Sequence, residues 1–284
     1  MMYKRISIVL LLALVLYIAL PAKGGVESYI LATEQLDEAS GLAHSRIHNQ
    51  ILYSHNDSGG AASIFAIDYK GNLISEIQVS GVQNRDWEDI ATGIDPVDGK
   101  AYIYIGEIGD NRARYSSIFI YRIEEPASVL QDSLIISHEP EIYEIRYEDG
   151  PRDAEALFME PDSGDLYILS KREERVGIYR LTYPLSTSEI NVAQRLGDME
   201  MGWVTAADIS ADGSSILVKN YPGIRRYKRA KNQSVFEALQ RKGKILPYQL
   251  EPQGEAVCFD AKGKGYFTLS EAAPDTPQVL YYYK

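Results

Sequence analysis

The stretch RDWEDIA, residues 85–91, returns 67 positions later as RDAEALF, residues 152–158. Each time Arg-Asp-x-Glu leads into an apolar run, so two carboxylates stand two apart at the head of a strand. Like charges so placed repel, and their recurrence therefore marks a repeated structural unit with a use for them. Three further segments follow the same plan. In order, the five are 38–57 (EASGLAHSRIHNQILYSHND), 86–111, 153–173, 205–221 and 253–271. In each, a polar pair precedes an apolar strand, a turn rich in Asp, Asn or Gly, and a second apolar strand with a polar end. Glu88, Glu155 and Glu255 align with Ser40 and Ala207, and two residues earlier stand Glu38, Asp86, Asp153, Thr205 and Gln253.

Tyrosine is abundant, with 21 residues, and falls in alternating runs such as AYIYIGEI and DLYILSK, the period-two pattern of strands. A third strand follows every pair, and a fourth follows four of the five (73–79, 141–147, 191–196 and 244–250). The fifth unit lacks its fourth strand because the chain stops at Lys284, while a leftover strand at 28–36 precedes the first. The expected fold is therefore all-β, a single β-propeller domain over residues 25–284 with five blades, the N-terminal strand completing the last blade and removing an exposed edge. Six blades is the alternative if residues 126–150 form an irregular one. One helix is expected, in QSVFEALQRKG at 233–243.

In a propeller the start of the innermost strand and the end of its neighbour share one face. Glu38, Asp86, Glu88, Asp153, Glu155 and Glu255 are thus expected at one axial mouth. Asn56, Asp57, Glu107, Asp110, Asn111, Lys171, Asn220 and Glu271 are expected beside them, from the second-strand ends. So many acids ionise together only with a cation between them. Glu38, Asn56, Asp86, Glu88, Asp153, Glu155 and Glu255 form an all-oxygen ligand set suited to Ca²⁺, with Mg²⁺ second because it demands a tighter octahedron. The four histidines (His44, His48, His55, His138) show no zinc or copper spacing. The competing reading is a metal-free ring of salt bridges in which Arg85, Arg152 and Lys171 neutralise the acids. Asp95, Asp98, Asp162, Asp165, Asp212 and Asp260 are assigned to hairpin turns. Trp87 and Cys258 are read as core, and the basic run GIRRYKRAKN, 223–232, as a solvated surface.

The first residues read differently from the rest. MMYKR is basic, residues 6–20 are apolar and PAKGG is a small polar exit, so residues 1–24 are expected to be a signal peptide, or an uncleaved membrane anchor, on an exported protein. Setting aside residues 1–22, which hold two of the 29 basic residues and no acid, 27 basic residues oppose 40 acidic ones, a charge of −13. That excludes nucleic acid and anionic lipid as expected partners and leaves membrane contact to the N-terminal segment alone. A monomer with a small-molecule ligand is expected.

Glu-x-Ser-Gly-Leu at 38–42, Asp-x-Glu-x-apolar at 86 and 153 and Gly-Glu-Ala-Val at 254–257 resemble the blade heads of calcium-binding propellers of the SMP-30/gluconolactonase-like, SdiA-regulated and phytase-esterase-like groups. HNDSGG, DWEDIA and GEIGDN together resemble a set of exported microbial propeller proteins. The resemblance implies a metal at the channel mouth, with Glu38 as ligand and Asn56, Asp86, Glu155 and Asn220 as candidates. In the lactonase-like group that metal polarises a carbonyl and activates water. Ala207 in place of an acid and Lys171 at a second-strand end depart from that pattern. Two functions therefore stand: an exported binding or scaffold propeller with axial Ca²⁺, and a metal-dependent hydrolase of esters, lactones or phosphoesters with Glu155 or Glu107 as general base. A protein-interaction propeller is a third.

Overall fold

The computed structural model describes residues 25–274 and 276–284, so the expected N-terminal signal or anchor segment lies outside the described residues. Among those described, no helix is long and apolar enough to cross a membrane. The described residues are all-β apart from one short helix.

It begins with β1 (Val26–Ile30), then β2 (Ala39–His44), β3 (Ile51–Asn56), β4 (Ser63–Asp68) and β5 (Leu73–Gln78). Next come β6 (Asp89–Ile94), β7 (Ala101–Glu107), β8 (Ile118–Glu124), β9 (Ser133–Ile136) and β10 (Glu141–Tyr147). The third group is β11 (Ala154–Met159), β12 (Leu166–Ser170), β13 (Gly177–Leu181) and β14 (Asn191–Asp198). Then follow β15 (Val204–Ile209), β16 (Ser215–Asn220), β17 (Gly223–Lys228), α1 (Val235–Leu239) and β18 (Lys244–Ile245). The last are β19 (Gly254–Phe259), β20 (Tyr266–Ser270) and β21 (Val279–Tyr283).

These strands form four sheets. The first runs β2-β3-β4-β5-β9, and an eight-stranded sheet runs β6-β7-β8-β10-β14-β13-β12-β11, two antiparallel meanders joined by the parallel pair β10–β14. The third is β15-β16-β17-β18, and the fourth is β19-β20-β21 with β1 on its outer edge, Val26 opposite Tyr283 and Ile30 opposite Val279. The first and last strands of the described residues are thus hydrogen-bonded into one sheet. Within residues 126–150, β9 extends the first sheet parallel to β5 and β10 completes the second meander. The repeated strand architecture fits a β-propeller.

The innermost strands are β2, β6, β11, β15 and β19, and nearly every residue in them is buried. Each packs on the next, and β19 packs back on β2. The apolar core follows the same cycle. Leu42, Leu52 and Phe65 meet Cys258, Phe267 and Leu280 of the last sheet, while Tyr53 and Ile77 meet Ile90, Ile105 and Trp87. Ile120 and Ile145 meet Leu157 and Ile168, Phe158 and Leu169 meet Ile216 and Val218, and Leu217 and Ile224 meet Val257 and Phe259. Period-two alternation supplies one apolar face to each neighbour, which is why so few turns separate so many buried positions.

Two local expectations are shortened. The helix covers only Val235–Leu239, started by a capping box between Ser234 and Glu237. The strand expected at 244–250 covers only Lys244–Ile245, because Pro247 has no N–H to continue the ladder.

Asp89 ties the centre together. It is fully buried, and its Oδ2 accepts hydrogen bonds from the backbone N–H of Leu157 on β11 at 2.9 Å and of Ala207 on β15 at 3.3 Å. Gly41, at φ +73°, makes room for it, since a Cβ there would strike the Asp89 carboxylate and the Ile90 amide. Removing the acceptor strands two buried donors. Asp89→Ala is expected to lower the unfolding free energy by about 3 kcal/mol, and Asp89→Asn by clearly less, as read from urea denaturation.

Candidate functional site

A recurring irregularity shapes one end of the inner strands. The β11–β12, β15–β16 and β19–β20 ladders each skip a residue at the second position of the inner strand, at Glu155, Thr205 and Glu255. A bulge there frees the side chain from the alternation of the strand and re-aims it. The first residue past β3, β12 and β20 closes over this end: Asp57, Lys171 and Glu271 donate their backbone N–H to the carbonyls of Glu38, Asp153 and Gln253. From there the Asp57 carbonyl accepts from Trp87 N–H and the Lys171 carbonyl from Trp203 N–H, linking each unit to the next. The acids at strand heads and the polar residues at neighbouring strand ends are thereby gathered at one mouth.

The mouth divides into two halves. In one, Asp57, Asp86 and Glu88 each place a carboxylate oxygen within 4.8 Å of the other two. Among the described residues no hydrogen-bond donor or ion-pair partner reaches any of these three carboxylates, although Glu88 is only 3% exposed. Burial, reinforced by the charges of Asp86, Glu255 and Glu38, pushes the Asp57 carboxyl up to about 7. Burial and the Asp153 charge raise Asp86. Burial and Glu155 raise Glu88 well above the usual carboxylate range. The GEIGDN loop presses against the pair, because a Cβ at Gly109 would collide with both the Glu88 and the Asp86 carboxylates.

In the other half Lys171 is the resident cation. Its ammonium pairs with Glu155 and lies 3.5 Å from Glu255 and 5.5 Å from the centre of the Tyr221 ring. Tyr221 donates its hydroxyl to Glu255 at 2.5 Å. One Glu155 oxygen, Oε2, is buried with no hydrogen-bond partner, and burial outweighs Lys171 to push the Glu155 carboxyl up to about 8. Glu271 is likewise pushed up to about 8, first by burial and then by its contact with Glu255. Glu88 also comes within 4.8 Å of Asp153 and Glu155, so it stands between the halves.

The remaining predicted residues take supporting places. Asp153 pairs with Arg172 at 2.6 Å and accepts from the Asp110 amide at 2.9 Å. Asp110 in turn accepts from the Tyr115 amide at 2.7 Å, and Asn111 is exposed and bonded by Arg172. Glu107 accepts from the Tyr121 hydroxyl at 2.9 Å and lies 3.5 Å from Arg85. Asn56 spends its amide on the chain itself, accepting from Glu38 N–H at 3.1 Å and donating to the Gln35 carbonyl at 2.8 Å. Glu38 is exposed at the rim, and Asn220 donates to the Gly202 carbonyl at 3.1 Å. Of the three cations expected to neutralise the acids, Lys171 and Arg85 do so, but Arg152 turns away to Asp149 and Glu173, and Arg172 takes its place. His55 is fully buried edge-on to Trp87, and burial lowers it to about 4, so it carries no charge at neutral pH.

Sequence reasoning passed over six residues. Tyr221 follows the end of β16 by one residue and Arg172 the end of β12 by two, and neither carried a signal of its own. Asp89 and Asp208 did carry one: the register that aligns Glu88 with Ala207 also aligns these two acids, Asp89 buried and Asp208 half-buried. Asp208 accepts from the Phe259 amide at 2.7 Å, as Asp89 does across its own neighbours. Lys219, fully buried, hydrogen-bonds the Gly254 carbonyl and lies 3.5 Å from Glu251. Trp203, half exposed at φ +55°, sits at the rim beside Lys171 in a backbone region that bulky residues rarely adopt.

The raised carboxyls fix a pH dependence. A carboxyl at about 7 or 8 in the fold and about 4 in the unfolded chain binds more protons when folded across that interval. The stability it contributes is complete below pH ~4 and is lost as pH rises through 7 to 8. In chelator, the melting temperature of the full chain is therefore expected to fall steadily between pH ~5 and ~8.5, whereas a constant value across that range would contradict the electrostatic reading.

No protein-family model matches the sequence, and no curated protein matches it. Among solved structures, the chain is similar to hydrazine synthase of Kuenenia stuttgartiensis at 14% sequence identity and a TM-score of 0.42, with 87% of this chain and 60% of that one covered.

Proposed function

We propose that the chain is a five-bladed β-propeller, closed by β1 on the last blade, that holds a divalent cation at its axial mouth and binds a small ligand there. The five blades would be β2–β5, β6–β8 with β10, β11–β14, β15–β18, and β19–β21 with β1. The observation that carries the cation is the triad Asp57, Asp86 and Glu88. Two oxygens bound to one Ca²⁺ at about 2.4 Å can lie no more than about 4.8 Å apart, and all three carboxylates meet that limit pairwise. Three acids this close, without a donor among the described residues, repel one another at neutral pH, and a cation turns that repulsion into coordination.

The donor set favours Ca²⁺ over Mg²⁺, being all carboxylate oxygen and carried on two segments, the residue after β3 and the lead into β6, rather than on a rigid octahedral cage. Three carboxylates leave part of a coordination sphere of six to eight to water or to ligand oxygens, which is how the mouth would recognise a small molecule. The other half serves a different end. Lys171 already neutralises Glu155 and Glu255, so it shapes the ligand's surroundings. Export rests on the basic, apolar and polar succession of residues 1–24.

A second reading, hydrolysis of an ester, lactone or phosphoester, is favoured by one observation: Glu155 keeps a buried oxygen free beside the triad and has a proton affinity near neutral pH, as a general base requires.

Two measurements separate these. Saturating Ca²⁺ at pH ~8 is expected to raise the melting temperature of the full chain by about 5 °C or more over chelator. Glu88→Gln should abolish that rise and, in chelator, melt above wild type, because a neutral amide replaces a buried charge. No bound metal on elemental analysis together with an unchanged melting temperature would refute the cation. Turnover of ester, lactone or phosphoester substrates that Glu155→Gln reduces at least about 100-fold would establish the hydrolase; equal or absent turnover in both proteins removes it.

A further inference from the structure

A second, chemically opposite site lies on the outer flank. Arg175, Arg225, Arg241, Lys242 and Lys244 line one groove of about 920 Å³, with Glu200 as the only carboxylate in its lining. Elsewhere on this acidic chain, cations are mostly spent on acids: Lys100 on Glu124, Arg122 on Asp95 and Glu141, Arg195 on Asp149 and Asp198, Arg229 on Glu160. Here Glu200 pairs with Arg175 alone, at 3.0 Å, and its backbone carbonyl accepts from Arg225 at 2.9 Å. Among the described residues Arg225, Arg241, Lys242 and Lys244 meet no carboxylate within 4.0 Å.

The backbone builds the floor of this groove. A Cβ at Gly243 would collide with the Tyr227 ring and the Arg225 side chain, so only glycine lets the 242–244 segment lie flat there. Lys242 and Lys244 flank that glycine in sequence and are both exposed, as is Arg241 in the turn that follows α1. The basic run at 223–232 is accordingly divided. Arg229 is tied to Glu160, Arg226 donates to the Gly263 carbonyl, and Arg225 with Tyr227 faces the groove.

We infer that this groove is an anion site, built to take a ligand carrying two or more phosphate groups. Five cations converging in a concavity focus a positive field that a flat patch with the same charges would not. Three guanidiniums, Arg175, Arg225 and Arg241, offer planar forks that match oxyanion oxygens, and the two lysines supply mobile point charges around them. A monovalent carboxylate would leave most of that charge unanswered. A neighbouring hollow shares Arg175, Glu200 and Arg225 and reaches Asn220, so the groove extends toward the mouth.

The test titrates the full chain, in metal-free low-salt buffer, with tripolyphosphate by calorimetry. Binding that weakens on adding salt, and at least about tenfold when Arg241→Gln, Lys242→Gln and Lys244→Gln are combined, supports the site. The control pair Lys262→Gln and Lys264→Gln, in an exposed turn on another blade, should leave affinity unchanged. All five positions are exposed, so folding is retained and is checked by the melting temperature. A parallel arm compares phosphatidylcholine vesicles with and without phosphatidylglycerol: extra binding that the triple variant loses identifies a lipid headgroup as the source, whereas tripolyphosphate binding alone identifies a soluble one. No binding in either arm, or equal weakening by the control pair, overturns the proposal. Because no metal is present, this result is independent of the cation at the mouth.

Discussion

The pairing of β1 with β21 is the constraint on which the remaining structure depends. It fastens residue 26 to residue 283 and presents the last sheet to the first, so that β19 can pack on β2 as every other inner strand packs on its successor. Without it the segment that follows β1, which carries Leu31 and Leu36 into the apolar cluster of Leu42, Phe65, Cys258 and Phe267, would lose its anchor on the last sheet. Interfaces of this kind are bound only to their neighbours, and a ring of them gains stability from closure that an open stack cannot reach.

Closure also has an electrostatic consequence. Strand heads that would be scattered in an open sheet are brought to a common axis, and the acids on them are forced together. The fold answers this in three ways. Asp89 and Asp208 are sunk among backbone N–H groups, which stabilise a buried carboxylate as a donor-rich turn would. Glu155, Glu255 and Asp153 are given Lys171, Tyr221 and Arg172. Asp57, Asp86 and Glu88 are given no partner among the described residues, and that unevenness is what marks them. The flank groove presents the converse imbalance, five cations against the single acid Glu200, on the same acidic chain.

Much of this was legible in the sequence because it follows from period and register. Alternation and the recurring Asp-x-Glu heads placed the inner strands within a residue or two, and the leftover strand does pair with the C-terminal one, although it covers Val26–Ile30 rather than 28–36. The six Asp residues assigned to turns lie in the loops between inner and second strands, and Trp87 and Cys258 are fully buried. What was not legible depends on side-chain direction. Glu38 and Glu88 both stand at strand heads, yet one is at the solvent rim and the other is buried, a difference the linear pattern does not carry. Arg152 and Arg172 are equally plausible partners for Asp153 in one dimension, and only the turn after β12 brings Arg172 within reach. The basic groove escaped notice because its residues come from β17, the turn after α1 and the segment before β14's neighbour strand, three places that no linear run joins.

The most direct test of the central claim is a crystal structure of the full chain grown with Ca²⁺ and recorded for anomalous scattering. The account predicts one strong peak about 2.4 Å from a carboxylate oxygen of each of Asp57, Asp86 and Glu88, with Lys171 still paired to Glu155. A mouth with no peak at saturating Ca²⁺, its three acids drawn apart or bonded to side chains instead, would contradict it.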